Sequence, residues 1–424
     1  MRFIIFIFMS RFRFIFLIIF AIPEIFGRTV PNIEFEVNRN AALFAQVYFE
    51  NDISGDLHNE IKSSFGSNSK NSKEEKAEFV SYLISGRTEH SYMTPNFMNL
   101  WKNAKSKYDK VFDDNVDILN DRKQELGMYA KKALSEKTIN FKTVFDFYGS
   151  SIGENESFKI FLFPTKMSSG NFSKAFKNNL FLKFNYGNKT ADICAILEQV
   201  CHRLFESRSK SSRDMIENYF MSHHSKSAKA AYFLLDEVLA YAIGGLWSHS
   251  KLSGISDSAL PNHSNPKIEA ISKAILPTIE KYVKTRHEID NNFYNSFIRQ
   301  VELQYPKSSS CFDVMLSKIS LIVESGIDVT YCQNVLTSSF SIDDVLDKVS
   351  NYSVVFIGKN LGDPVLQPIN SKIPNKKNDF LFITKDNKKK LFIIIKTNDE
   401  SKIKSAIKEM KKAHEISIGF IKDL

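Results

Sequence analysis

"ICAILEQVCHRLFES", Ile193 to Ser207, decides how this chain is read. The run is apolar and low in charge, and it sets Glu198, Cys201 and His202 at i, i+3 and i+4. A helix brings those spacings onto one face. A carboxylate, a thiol and an imidazole side by side are potential metal ligands. They are also compatible with plain helix packing, since a Glu–x–x–x–His pair is commonly an i,i+4 contact and free cysteine is among the most buried residue types.

The surroundings of this stretch set its context. Upstream, "FKIFLFP" (Phe158 to Pro164) and "LFLKFN" (Leu180 to Asn185) read as strands, separated by the polar "TKMSSGNFSKAFKNN" read as a loop. "YGNKT" is a turn, with Thr190 as the expected N-cap of the helix that follows. Downstream, a second helical stretch from Met215 to Trp247 contains "DEVLAYAIG", and Gly244 with Gly245 is expected to mark its end. The loop "SDSALPNHSNP" leads into two helices between Lys267 and Pro306, the first kinked or divided near Pro277.

Two strands, a turn, a helix with a ligand pair at i and i+4, and a second helix bearing a carboxylate form a familiar order. On "EQVCHRLF" (Glu198 to Phe205), "DEVLAYAIG" (Asp236 to Gly244) and "NPKIEAISKAILPTIEKYV", the chain resembles exported bacterial metallopeptidases of the gluzincin group. The resemblance covers roughly Phe158 to Pro306. In that group the first helix carries H-E-x-x-H, two zinc-binding histidines around a general-base glutamate, and a Glu on the next helix is the third ligand. The resemblance implies that Glu198 stands at the first ligand position, His202 at the second and Glu237 at the third. Gln199 stands at the general-base position, and a neutral amide cannot take a proton from water. Glu is a legitimate zinc ligand, so Glu198, His202 and Glu237 remain a chemically possible metal set. Cys201 could join it as a thiolate. The alternative for Glu237 is a salt bridge to Arg203 or Lys229. His90 has no partner of suitable spacing, His249 and His263 read as loop residues, and His223 with His224 reads as a solvated corner.

The function expected from the resemblance is that of an exported, catalytically inactive metallopeptidase homologue, with zinc weakly bound or not bound at all. A peptide or protein partner would occupy the old cleft. The alternatives are an active metal-dependent hydrolase with rearranged ligands and an envelope structural protein. No phosphate-binding glycine loop occurs. The formal charge of +9 is spread over scattered lysines, so no nucleic-acid partner is expected.

The remaining sequence completes the organisation. The N-terminus has Arg2, Arg11 and Arg13 before the apolar run Phe14 to Ile22, then Pro23 and Gly27, which is the layout of a secretory signal. Export is expected, with membrane contact limited to this segment, cleaved or retained as an anchor; no other segment is expected to be apolar enough to cross a bilayer. Ile33 to Val37 reads as a strand, and Ala77 to Thr138 as mostly helical. Past Ser308 the period changes: "SVVFIGK", "DFLFITK" and "KLFIIIK" read as strands, "SKIKSAIKEMKKAHE" as an amphipathic helix and "SIGFI" as a returning strand. A fragment from about Asn351 to Leu424 is expected to fold as a unit. Cys194 and Cys201 are about 10 Å apart along a helix, too far to bond; Cys311 and Cys332 could pair under oxidising conditions. The expected fold is α+β: a signal or anchor over 1–27, a mostly helical zincin-like core with a small sheet over 28–306, and a small α+β domain over 307–424.

Overall fold

A computed structural model describes residues 32–50, 57, 58, 61, 73–87, 94–135, 138–150, 152, 156–163, 172–183, 188–254, 263, 265–340, 342, 344–346, 352–387, 390–413 and 415–424. The expected export segment and His90 lie outside them. The fold is α+β and dominated by helices.

Strand β1 (Asn32–Glu36) leads into helix α1 (Arg39–Ala45), whose five residues from Ala41 to Ala45 are buried. Helices α2 (Lys73–Ser85), α3 (Pro95–Asp113), α4 (Val116–Ala133) and α5 (Phe141–Tyr148) follow. Strands β2 (Ser157–Phe163), β3 (Phe172–Phe176) and β4 (Asn179–Lys183) complete the first sheet, in the order β1-β2-β4-β3. β1 and β2 run parallel, as do β2 and β4, while β3 is antiparallel to β4. β3 falls inside the stretch read as a polar loop. Its residues, Phe-Ser-Lys-Ala-Phe, carry no regular apolar alternation, so pairing with β4 decides its conformation.

The central elements are α6 (Lys189–Glu206), α7 (Lys210–Ser222) and α8 (Ala228–Ala240). Asn188, not Thr190, caps α6, its side chain accepting from the Ala191 N–H at 2.9 Å. Thr190 lies within the first turn and contacts Tyr129, hydroxyl to hydroxyl, at 2.8 Å. α8 does not stop at Gly244 and Gly245. It passes through a π-helical segment, Tyr241–Trp247, into α9 (Ser248–Ser253) and ends at Gly254, which takes the left-handed conformation with φ +68. This continuous 26-residue helix is apolar and long enough to cross a membrane, contrary to the expectation that no such segment follows the N-terminus; yet 83% of its most apolar window is buried inside the fold. Core burial satisfies the same composition.

α10 (Pro266–Thr285) and α11 (Asn291–Gln304) pack against one another and against α8. Of the two outcomes expected at Pro277, a kink or a division, the division does not occur: Pro277 sits within the undivided α10.

The C-terminal region begins with the short α12 (Phe312–Met315). It continues through β5 (Lys318–Val323), α13 (Val329–Ser339), β6 (Asp344–Leu346), β7 (Ser353–Ile357), β8 (Phe380–Lys385), β9 (Leu391–Lys396), α14 (Glu400–Ala413) and β10 (Ile421–Asp423). The sheet order is β10-β8-β9-β7-β5-β6, with β9, β7, β5 and β6 parallel. β9 is central and buried, as its nearly unbroken apolar run requires. β5 and β6 precede Asn351, so a fragment cut there lacks two of the six strands. One continuous apolar core joins both regions, with α12 packed on α8 and the Phe233 ring edge-on to Tyr352. All four cysteines are free thiols, so Cys311 and Cys332 do not pair here.

Candidate metal centre

α6 and the helix formed by α8 and the π segment cross at an unusually close contact. The cause is Gly244. A Cβ added there would lie 2.3 Å from Glu198 N and 2.4 Å from Glu198 Cα, so only glycine lets the second backbone approach the first. The π segment shifts the helix register at this crossing, a device often found at functional sites. The ligand positions on both helices are thereby pressed together.

Glu198, His202 and Glu237 each offer one ligand atom, and those atoms all lie within 4.8 Å of one another. His202 Nε2 is 3.5 Å from Glu237 Oε2. Metal–ligand bonds of about 2.1 Å in tetrahedral array put neighbouring donor atoms about 3.4 Å apart, so this pair already has the spacing of two ligands on one ion. Nδ1 of the same ring faces Asp236 Oδ2 at 3.2 Å. That is the arrangement in which an outer carboxylate fixes the tautomer and orientation of a metal-binding imidazole. The other Asp236 oxygen, Oδ1, is buried with no hydrogen-bond partner. Consecutive residues therefore take different places, Glu237 at the cluster and Asp236 behind His202.

The electrostatics follow from this crowding. Burial pushes the Glu198 carboxyl up from its ordinary value, and the nearby Glu237 carboxylate adds to that, against the pull of His202 and His263. Burial lowers the His202 pKa, but Asp236, Glu237 and Glu198 together outweigh it and hold the imidazole at about 9. The group is an acidic pocket that demands positive charge. Glu237 is the most open member, with its side chain 44% exposed against 22% for His202, so the pocket meets solvent on the Glu237 side.

A fourth side chain joins from outside the two helices. His263 Nε2 lies 3.2 Å from Glu237 Oε1, and its ring packs edge-on to Tyr241 at 4.7 Å between centroids. His263 had no readable spacing in the sequence; its arrival depends on the chain path between α9 and α10.

The other expectations resolve as follows. Glu237 faces His202 and His263, and Arg203 Nε donates instead to Asn178 Oδ1 at 3.1 Å. Cys201 points away into the core beside Tyr148, and burial drives its thiol pKa well up, so it does not serve as a thiolate. Cys194 behaves likewise, with burial and then Glu198 pushing it to about 12. His223 and His224 stack on each other at the end of α7, where His223 Nε2 meets Asn295 Oδ1 at 3.1 Å. His249 lies in α9 rather than in a loop. Gln199 is partly buried on α6, one residue beyond Glu198.

No family model, curated protein or solved structure matches this chain. The functional reading therefore rests on the geometry and on the motif order.

Proposed function

We propose that this chain is an exported zincin-like metallopeptidase homologue that holds zinc through Glu198, His202 and Glu237 without peptidase turnover, and that it receives a peptide or protein partner. The observation that carries the reading is the convergence of the three donor atoms within 4.8 Å, with Asp236 set behind His202. One imidazole nitrogen and two carboxylates are an acceptable donor set for zinc, which would polarise a bound carbonyl and acidify bound water.

The residues of this chain decide how far that chemistry proceeds. His202 would present Nε2 to the metal while Nδ1 keeps its contact with Asp236. Glu198 and Glu237 contribute two negative charges, so a divalent ion is neutralised at the site. A divalent ion so held would polarise a carbonyl less strongly than one held by two neutral histidines and a carboxylate. Gln199 offers an amide where a base is required and accepts no proton; loss of a general base commonly costs about 10² to 10⁴ in rate.

The test is metal content and peptide cleavage of protein lacking residues 1–27, beside Glu198→His with Gln199→Glu. The expected outcome is weak zinc in the parent protein, tight stoichiometric zinc in the variant, and no cleavage by the parent. Zinc with cleavage in the parent would establish the hydrolase with rearranged ligands. No zinc in either protein would leave the fold as a structural protein without a metal.

A further inference from the structure

We infer that His263 is a positioning residue for Glu237, donating a hydrogen bond from Nε2–H to Oε1 so that Oε2 is left to face the metal. The inference rests on the metal-site reading above and adds a residue to it.

Three observations carry it. Nε2 of His263 lies 3.2 Å from Glu237 Oε1, while His202 Nε2 lies 3.5 Å from Glu237 Oε2, so the two carboxylate oxygens are divided between two rings. The ring is held from the other side. Asn265 N–H lies 2.9 Å from His263 Nδ1, and the Asn265 carbonyl lies 3.2 Å from the same nitrogen. If Nδ1 accepts from the amide, Nε2 must carry the hydrogen. If the ring is cationic, both nitrogens carry one. The remaining form would set a bare Nε2 against a carboxylate oxygen, lone pair to lone pair, and is disfavoured. With Glu237 ionised, every favourable state therefore donates to it.

Third, the anchoring residue is itself fixed. Asn265 caps α10 through its side chain, which accepts from Lys267 N–H at 2.9 Å and Ile268 N–H at 3.4 Å. The His263 ring thus hangs from the start of a 20-residue helix and packs against Tyr241. His263 stands outside the ligand cluster itself, since the atoms that share the 4.8 Å limit belong to Glu198, His202 and Glu237. The outcome is a matched pair of outer partners, Asp236 behind His202 and His263 behind Glu237. Carboxylate ligands of metals are in general hydrogen-bonded, and loss of such a partner typically costs 10- to 100-fold in affinity.

The test has two arms. Zinc affinity is measured by chelator competition for the parent, His263→Ala, and His263→Gln, whose amide N–H can replace the donor. A 10- to 100-fold loss in His263→Ala with partial recovery in His263→Gln is expected. Melting of the metal-free variants should stay close to the parent, separating positioning from folding. Equal affinities in parent and His263→Ala would overturn the proposal. The second arm needs no metal: a long-range ¹H–¹⁵N spectrum of the imidazoles should show a hydrogen on His263 Nε2. A hydrogen on Nδ1 alone would overturn the proposal. If the parent binds no zinc yet His263 carries that hydrogen, the metal reading fails and the Glu237 contact stands.

Discussion

The helical crossing around Glu198 and the six-stranded sheet of the C-terminal region handle charge in opposite ways. In the sheet, every residue of β7 and the first five of β8 and β9 are buried and almost all are apolar. Its ion pairs, such as Lys376–Asp423 and Lys422–Glu409, sit at the surface. The crossing instead draws Glu198, His202 and Asp236 into low-exposure positions and leaves one Asp236 oxygen without a partner. Hydrophobic burial accounts for the first region. It works against the second, because unpaired buried charge destabilises a fold. There Glu198, His202 and Glu237 form a cluster that could hold a metal ion.

Cutting the molecule gives the largest effect. A fragment of residues 307–424 keeps all six strands of the second sheet and is expected to unfold cooperatively and resist protease. A fragment starting at Asn351 loses β5 and β6, exposes the flank of β7, and is expected to be digested rapidly. Equal resistance of the two would show that β5 is dispensable and that the sheet's core lies wholly beyond it.

Next in size is Gly244→Ala. The new methyl would collide with the Glu198 backbone, and neither backbone can yield, so about 3 kcal/mol of stability should be lost. Gly254→Ala is the matched control: nothing lies within 4 Å, and the cost is the backbone strain at φ +68, about 1 kcal/mol. Denaturant midpoints with equal slopes compare them. A Gly244→Ala protein as stable as the control would remove the close crossing that assembles the site.

Asp236→Asn should leave the fold standing while weakening zinc by about 10- to 100-fold, since an amide is a poorer partner for the His202 ring. Chelator competition reads this directly. Unchanged affinity would reduce Asp236 to a packing residue.

The smallest effect belongs to the sheet region. Asp379 is held below the ordinary carboxylate range, first by its hydrogen bond from Lys402, against a desolvation cost, and then by Thr397. A depressed carboxyl stabilises the fold above the unfolded value, near pH 4, and that contribution fades as pH falls through the folded value. The stability gap between the parent and Asp379→Asn should therefore be open at pH 7 and close on acidification. A gap that widened in acid would reverse the sign of this pair.

Much of this molecule was legible in the linear chain. The apolar runs of β2, β4, β7, β8 and β9 and the periodicity of α6, α8, α10, α11 and α14 mark their elements by side-chain pattern, a local property. The i,i+4 spacing of Glu198 and His202 follows from helical geometry, and the motif order pointed to Glu237 as their partner. Other features needed the third dimension. β3 lacks a regular apolar alternation and gains its conformation from β4; β6 spans only three residues, and the apolar run of β5 follows closely on that of α12. Gly244 and Gly245 match a helix end in sequence, yet the close approach of α6 makes glycine necessary within a continuing helix. Asp236 behind His202 and His263 beside Glu237 arise from where distant segments meet. Local pattern determined which backbone elements form; which polar atoms face each other was decided by packing, because that depends on the paths of chain between them.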